Sequence, residues 1–198
     1  MKWYVIGPGL ADFGHGILSV LTVSLIFNID PTPLIFVVGI IAAFSPDVDG
    51  VFEILKYKKI VADENHPKDH RDGAHYPLIW ILFLAIVIYL NQYLGLIILV
   101  SVLMHFINDS WGTGWGVMWL WPFSSKSFKL FTDKNEDAST SHQNVVVSWT
   151  PEEKLEGIKK LGNPNWLHDC YGKVTTISVV EYGTFIFALL ALVLFYVK

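Results

Sequence analysis

The sequence predicts an all-α integral membrane protein, a bundle of about five transmembrane helices with a cytoplasmic loop region. Of its 198 residues, 53% are hydrophobic and only 16% are charged, and the mean hydropathy is +0.45. A soluble chain of this length usually carries more charge. Because the apolar residues come in blocks of membrane-spanning length, we expect residues 1–198 to form a single membrane domain.

Five apolar blocks account for the predicted helices. They cover about residues 10–28, 33–46, 77–94, 95–109 and 177–197. The stretches "NIDPTP" and "NQYLG" interrupt the apolar sequence, and both carry residues that favour turns. A full span needs roughly 20 residues, so the second and fourth blocks are short. We expect these two blocks to extend into the polar motifs that follow them, or the bilayer to thin around them.

The distribution of positive charge predicts the orientation. With the N-terminus in the cytoplasm, thirteen of the fourteen Lys and Arg residues lie on the inner side and only Lys198 lies outside. This asymmetry is what the positive-inside rule requires. The net charge of −4 excludes the basic surface that nucleic-acid binding needs. A single cysteine, Cys170, cannot form an internal disulfide.

Residues 110–176, between the fourth and fifth blocks, are predicted to be interfacial or cytoplasmic. The stretch "SWGTGWGVMWLWPF" (110–123) favours an interfacial or re-entrant segment that lies over the site and admits a lipid headgroup or acyl chain. A plain aromatic anchor explains it equally well. "TDKNEDASTSHQN" is typical of a surface loop. In "TPEEKLEGIKKLG", Thr150 and Glu153 form the capping box of a helix that ends at Gly162. His142 and His168 are predicted to be surface residues.

Polar residues that suit a metal occur near the inner ends of the blocks. Imidazoles and carboxylates are the usual ligands of Zn, Mn and Fe, and we expect one or two divalent ions. His105 and Asp109 are four residues apart and therefore share a helix face. Asp47 and Asp49 are expected in a non-helical turn after Pro46, with both carboxylates on one ion. The predicted ligand pool is His15, Asp47, Asp49, His70, His75, His105, Asp109 and Glu181.

Each member of this pool also has a plainer explanation. The acid pair fits solvated carboxylates at the membrane surface, and His70 and His75 fit a polar loop. His15 fits a packing histidine that forms a hydrogen bond across the bundle. Glu181 fits an interface residue that pairs with Arg71 or a lysine. Their convergence on one side of the membrane, where ionisable groups are costly unless they have a function, favours the metal hypothesis.

The order of these motifs resembles that of a known family, the bacterial and archaeal inner-membrane proteins described as membrane-bound, metal-dependent hydrolases. The likeness covers about residues 10–125 and consists of His15, "PDVD" (46–49), "HRDGAH" (70–75), "HFIND" (105–109) and "LWPF" (120–123). The family loop tends to read His-Arg-Gly-x-Thr-His, whereas here Asp72, Gly73 and Ala74 fill the middle positions. The resemblance implies a prokaryotic inner-membrane protein with a metal site and hydrolase activity.

Two functions from different classes follow. A metal-dependent hydrolase would use metal-activated water, Asp49 or Asp109 as general base, and Arg71 to neutralise a substrate phosphate. Its expected substrate is a membrane lipid or lipid-like phosphoester or ester, because the site faces the interface. His15 and Glu181 would be further ligands or orienting groups. The alternative is a non-catalytic, metal-stabilised membrane scaffold or an ion- or proton-handling protein. The apolar outer halves of the spans argue against transport.

Overall fold

The protein is mostly helical in a computed structural model, which describes residues 3–57, 62, 64–65, 71, 73–132 and 144–197. A 3-10 turn at Trp3–Ile6 precedes the first helix. The helices of the described residues are α1 (Gly7–Phe27), α2 (Pro33–Phe44), α3 (Val48–Tyr57), α4 (Pro77–Leu90), α5 (Gln92–Trp111), α6 (Pro151–Leu161), α7 (Trp166–Tyr171) and α8 (Thr176–Val197). Two strands, β1 (Ser127–Thr132) and β2 (Asn144–Trp149), pair as a hairpin. The all-α fold class is confirmed, and the hairpin is an addition that the sequence did not predict.

Four helical stretches are long and apolar enough to cross a membrane within the part of the chain that the structure describes. They are Gly7–Phe27, Pro33–Lys56, Gln92–Trp111 and Thr176–Val197. The remaining apolar helix, α4, has 14 residues and is shorter than these. The second apolar block therefore does extend into the motif that follows it, as the sequence predicted, whereas the fourth lengthens at both ends and runs from Gln92 to Trp111.

The break between the third and fourth blocks lies at Asn91, within the predicted turn stretch "NQYLG" but before the predicted block boundary at residues 94 and 95. The Asn91 side chain accepts a hydrogen bond from the backbone N–H of Leu94 at 3.0 Å. This is the geometry of a helix N-cap, for which asparagine is among the preferred residues. Because the cap sits at Asn91, α5 begins at Gln92 and has 20 residues, enough for a full span.

The residues after Pro46 are helical, so the predicted non-helical turn is wrong. Ser45–Asp47 form a 3-10 turn, and α3 begins at Val48. Proline has no N–H to donate, but it fits the first turn of a helical segment, where that N–H would have no intrahelical partner. The chain therefore continues from α2 into α3, with Asp49 in the first turn of α3.

The chain divides into two compact units. The first consists of Met1–Pro46, Trp80–His105 and Tyr171–Lys198. In it, α1 packs against α2 and α8. A Cβ on Gly16 would overlap the backbone of Ile40, so glycine at this position lets α1 and α2 approach closely, as small residues do between membrane helices.

The second unit consists of Asp47–Ile79 and Phe106–Cys170. Its buried core contains Trp115 and Ile158 together with Val147 and Trp149 of β2. The antiparallel hairpin pairs Ser127 with Trp149 and Leu130 with Val146.

The helix predicted after Thr150 is confirmed as α6. The Thr150 side chain accepts from the Glu153 N–H, and the Glu153 side chain accepts from the Thr150 N–H. The N–H of Gly162 donates to Ile158 at the other end. Most of the predicted surface loop before α6, residues 133–143 with His142, lies outside the described residues.

Candidate metal centre

His75 is the centre of a group of carboxylates in the second unit. Its side chain is fully buried. Its Nδ1 lies 3.2 Å from Asp49 Oδ2. Its Nε2 lies 3.3 Å from Asp47 Oδ1 and 3.1 Å from Asp109 Oδ2. The two nitrogens therefore face different carboxylates, Asp49 on one side of the ring and Asp47 with Asp109 on the other.

The spacing on the Nε2 side is that of ligands around one ion. An ion with bonds of about 2.1 Å has ligand atoms about 3.0 Å apart in an octahedron and about 3.4 Å apart in a tetrahedron. The observed 3.1 and 3.3 Å fall between these values. His105, one helical turn before Asp109 on α5, adds a second imidazole. Asp47, His75, His105 and Asp109 each offer a ligand atom, and these atoms lie within 4.8 Å of one another.

Hydrogen bonds to the three carboxylates determine the charge of His75 in the absence of an ion. Burial lowers the pKa of this imidazole, but hydrogen bonds to Asp109, Asp47 and Asp49 outweigh that effect and raise the pKa from 6.5 to about 10. The metal-free ring is therefore protonated at neutral pH. A divalent ion held by Nε2 would take the place of that proton, and the same carboxylates would balance its charge.

Arg71 holds Asp109 in place. Its Nε and Nη2 donate to the two oxygens of Asp109 at 2.9 and 2.8 Å, a bidentate pair. Its Nη1 donates to the Thr113 carbonyl at 2.6 Å. Gly114 makes this approach possible, because it adopts a φ of +79° and a Cβ there would overlap Nη1. The guanidinium is thus committed to Asp109 and the backbone, and a substrate phosphate would have to compete with both.

His105 is held by a carboxylate that the sequence analysis did not single out. In the first unit, the Nδ1 of His105 lies 2.9 Å from Asp12 Oδ1, and the Nδ1 of His15 lies 3.4 Å from the same oxygen. All three side chains are buried. Because a carboxylate only accepts, Nδ1 of His105 carries the hydrogen, and Nε2 is the nitrogen that could bind a metal. Asp12 could have been found from the sequence, because it is an acidic residue inside an apolar block and lies one helical turn before His15.

The remaining predicted ligands have other positions. His15 and Glu181 are buried on α1 and α8 and are not among the four clustered residues. Asp49 also lies outside that group, since it contacts the Nδ1 side of His75. Its Oδ2 further accepts the Ala74 N–H at 2.8 Å. His70 lies outside the described residues. His168, predicted at the surface, has a side chain that is 52% exposed.

Comparison with known proteins gives a family. The model of a family described as YdjM inner membrane protein matches residues 10–197. No curated protein and no solved structure matches the chain. The match extends well beyond the motif-bearing residues 10–125 and includes the last apolar helix. The family description states a membrane location, in agreement with the four candidate spans, and names no reaction.

Proposed function

The chain belongs to the YdjM inner membrane protein family, and we propose that it acts there as a metal-dependent hydrolase of lipid phosphoesters or esters. The observation that carries the proposal is the convergence of Asp47, His75, His105 and Asp109, whose ligand atoms lie within 4.8 Å of one another. Three of the four side chains are buried, and buried ionisable groups at the edge of a membrane have a function by default. We further propose that the site faces the cytoplasm, as the charge asymmetry of the sequence favours.

The donor set fits a divalent transition metal. Two imidazoles and two carboxylates suit Zn, Mn or Fe, whereas Mg and Ca prefer oxygen ligands alone. When bound, such an ion lowers the pKa of a water molecule and neutralises charge on a phosphoryl or acyl oxygen. The side chains around it set its position and the path of the substrate.

The carboxylates have different tasks in this proposal. Asp49 orients His75 through Nδ1, and Asp109 is fixed by Arg71. Both accept several hydrogen bonds, so neither suits the role of general base as well as the sequence suggested. Asp47 has the most exposed side chain of the three, 38% against 19% for Asp49 and 10% for Asp109. Water and substrate reach the cluster past Asp47, and its second oxygen is our candidate proton acceptor.

The test is the metal content of the purified protein beside hydrolysis of p-nitrophenyl phosphate and p-nitrophenyl acetate. We expect one or two ions per chain in the wild type, loss of the ion in His75→Ala, and wild-type content in His168→Ala, a matched change at an exposed histidine. Hydrolysis should follow metal content across the three proteins. Equal metal content in all three would refute the site. If the metal-loaded protein cleaves neither probe, nor a phospholipid in mixed micelles, the hydrolase proposal is refuted. The non-catalytic, metal-stabilised scaffold then remains as the explanation of the site.

A further inference from the structure

The outer face of the hairpin in the second unit is mostly apolar, with Ser148 as the partner of Phe128. Along β1, Ser127 and Lys129 are buried, whereas Phe128 and Leu130 lie on the opposite face and are partly exposed. Val146, the partner of Leu130 on β2, is 56% exposed. A hairpin that faces water on one side normally places its polar residues there. Here Phe128, Leu130 and Val146 make most of the outer face apolar, so that face is suited to an apolar occupant.

A cavity lies on that face. It has a volume of about 310 Å³ and is lined by Ser110, Trp119, Leu120, Phe128 and Leu130. The cavity is open on one side, so a chain can enter it from the surface. The only side-chain polar atoms in the lining are the hydroxyl of Ser110 and the indole nitrogen of Trp119. These two bind each other at 2.8 Å, so the wall offers an occupant little but apolar surface.

The cavity lies next to the metal cluster. The Trp119 ring meets Phe106 edge-on with a centroid separation of 6.2 Å, and Phe106 meets His75 in the same way at 6.0 Å. These two steps put the Trp119 ring within about 12 Å of the His75 ring. Trp121 in the same segment stacks on Tyr76, the residue after His75, at 4.5 Å. The aromatic segment is therefore attached at residues adjacent to the candidate ligands.

The surroundings of the cavity indicate a lipid. Ser110 lies in the last turn of α5, a candidate membrane span that ends at Trp111. Trp residues favour this depth, at the boundary between acyl chains and headgroups. Leu120, in the lining, is 51% exposed, and Phe123, three residues further along the chain, is 86% exposed. An apolar cavity at the end of a membrane span is open to the acyl chains of the bilayer.

We propose that this cavity binds one acyl chain of a membrane lipid whose phosphoryl headgroup lies at the His75 cluster. The position of the headgroup rests on the proposed function, while binding of the chain rests on the cavity alone. The spacing of the two sites suits a lipid, because the glycerol backbone and the upper methylenes bridge them. The cavity would then select long-chain over short-chain phosphoesters.

The test is photo-crosslinking with phosphatidic acid that carries a diazirine in its acyl chain, in mixed micelles, followed by peptide mapping. We expect the label on the peptides of Trp119 and Leu130. Leu130→Trp fills the cavity and should lower this labelling at least about tenfold, the scale on which a pocket discriminates by a few methylenes. Val145→Trp is the matched control, because it adds the same ring to an exposed position of the same hairpin. The lipid should label the Val145→Trp protein as strongly as it labels the wild type.

Thermal unfolding in detergent serves as the folding control, and Leu120→Trp is a second cavity-filling variant should Leu130→Trp fail to fold. Labelling that maps elsewhere, or that both cavity variants leave unchanged, would overturn the proposal. Labelling requires no turnover, so a failure of the hydrolase proposal is seen separately, in the p-nitrophenyl assays.

Discussion

Gly114→Ala tests whether the backbone beside Arg71 controls the metal cluster. Gly114 adopts a φ of +79°, a conformation that L side chains rarely adopt. The added methyl group would overlap Nη1 of Arg71. That nitrogen donates to the Thr113 carbonyl, and the same guanidinium fixes both oxygens of Asp109. The variant therefore strains the backbone and displaces the group that positions a candidate ligand.

The magnitude follows from these two effects. The left-handed conformation costs about 1–2 kcal/mol for a residue with a Cβ, and loss of a hydrogen bond from a charged group costs about 1.5–3 kcal/mol. Together they predict a destabilisation on the order of 3–5 kcal/mol. Because Asp109 loses its fixed orientation, we also expect metal affinity to fall about 10–100-fold, as for other groups that orient a ligand.

The assay is thermal unfolding in detergent together with competition against a metal chelator. Gly183→Ala is the control, since a Cβ at Gly183 in α8 meets nothing within 4 Å. That variant should unfold at or slightly above the wild-type temperature, because alanine favours a helix over glycine. If Gly114→Ala matches Gly183→Ala in both measurements, the backbone at Gly114 does not control the position of Arg71, and the prediction is wrong.

Three further predictions follow from individual contacts. Asp12→Asn should lower metal affinity about 10–100-fold by chelator competition, while Asp30→Asn, at an exposed acid, should not change it. Because the pKa of His75 is raised to about 10, its charge stabilises the metal-free protein below pH 6.5, and that contribution is lost as the pH rises through about 10. The melting temperature should fall over this window only without metal. Thr150→Ala removes the capping box of α6 and should destabilise that helix by about 1 kcal/mol, seen as faster amide exchange in residues 151–161.

The helices could be predicted from the sequence because hydropathy and capping are local. The capping box of α6 and the apolar blocks are visible in short windows of sequence. The hairpin was missed although "SFKLFT" alternates and "NVVVSW" is rich in β-branched residues. The polar stretch between them, residues 133–143, is too long for a tight turn, so no local signal joins the two strands.

The site was predicted in part, for a physical reason that concerns helical geometry. His105 and Asp109 are one turn apart, so their shared face could be inferred. Asp47 and Asp49 were expected to reach one ion, but residues two apart in a helical segment point to different sides. They meet opposite nitrogens of His75 instead. The contact of Asp12 with His105 spans 93 residues, and no spacing rule applied to a single sequence reveals such a pair.

The charges around His75 favour one resident ion over two. Asp47, Asp49 and Asp109 face two cations, Arg71 and the protonated His75, so this group keeps one net negative charge without metal. A divalent ion in place of the His75 proton brings the formal charge of the group to zero, which a buried site requires for a stable resting state. A second divalent ion would leave two positive charges uncompensated. An anionic phosphoryl group supplies the missing charge, so a second ion is expected to bind together with substrate, and its affinity should rise when phosphate is added.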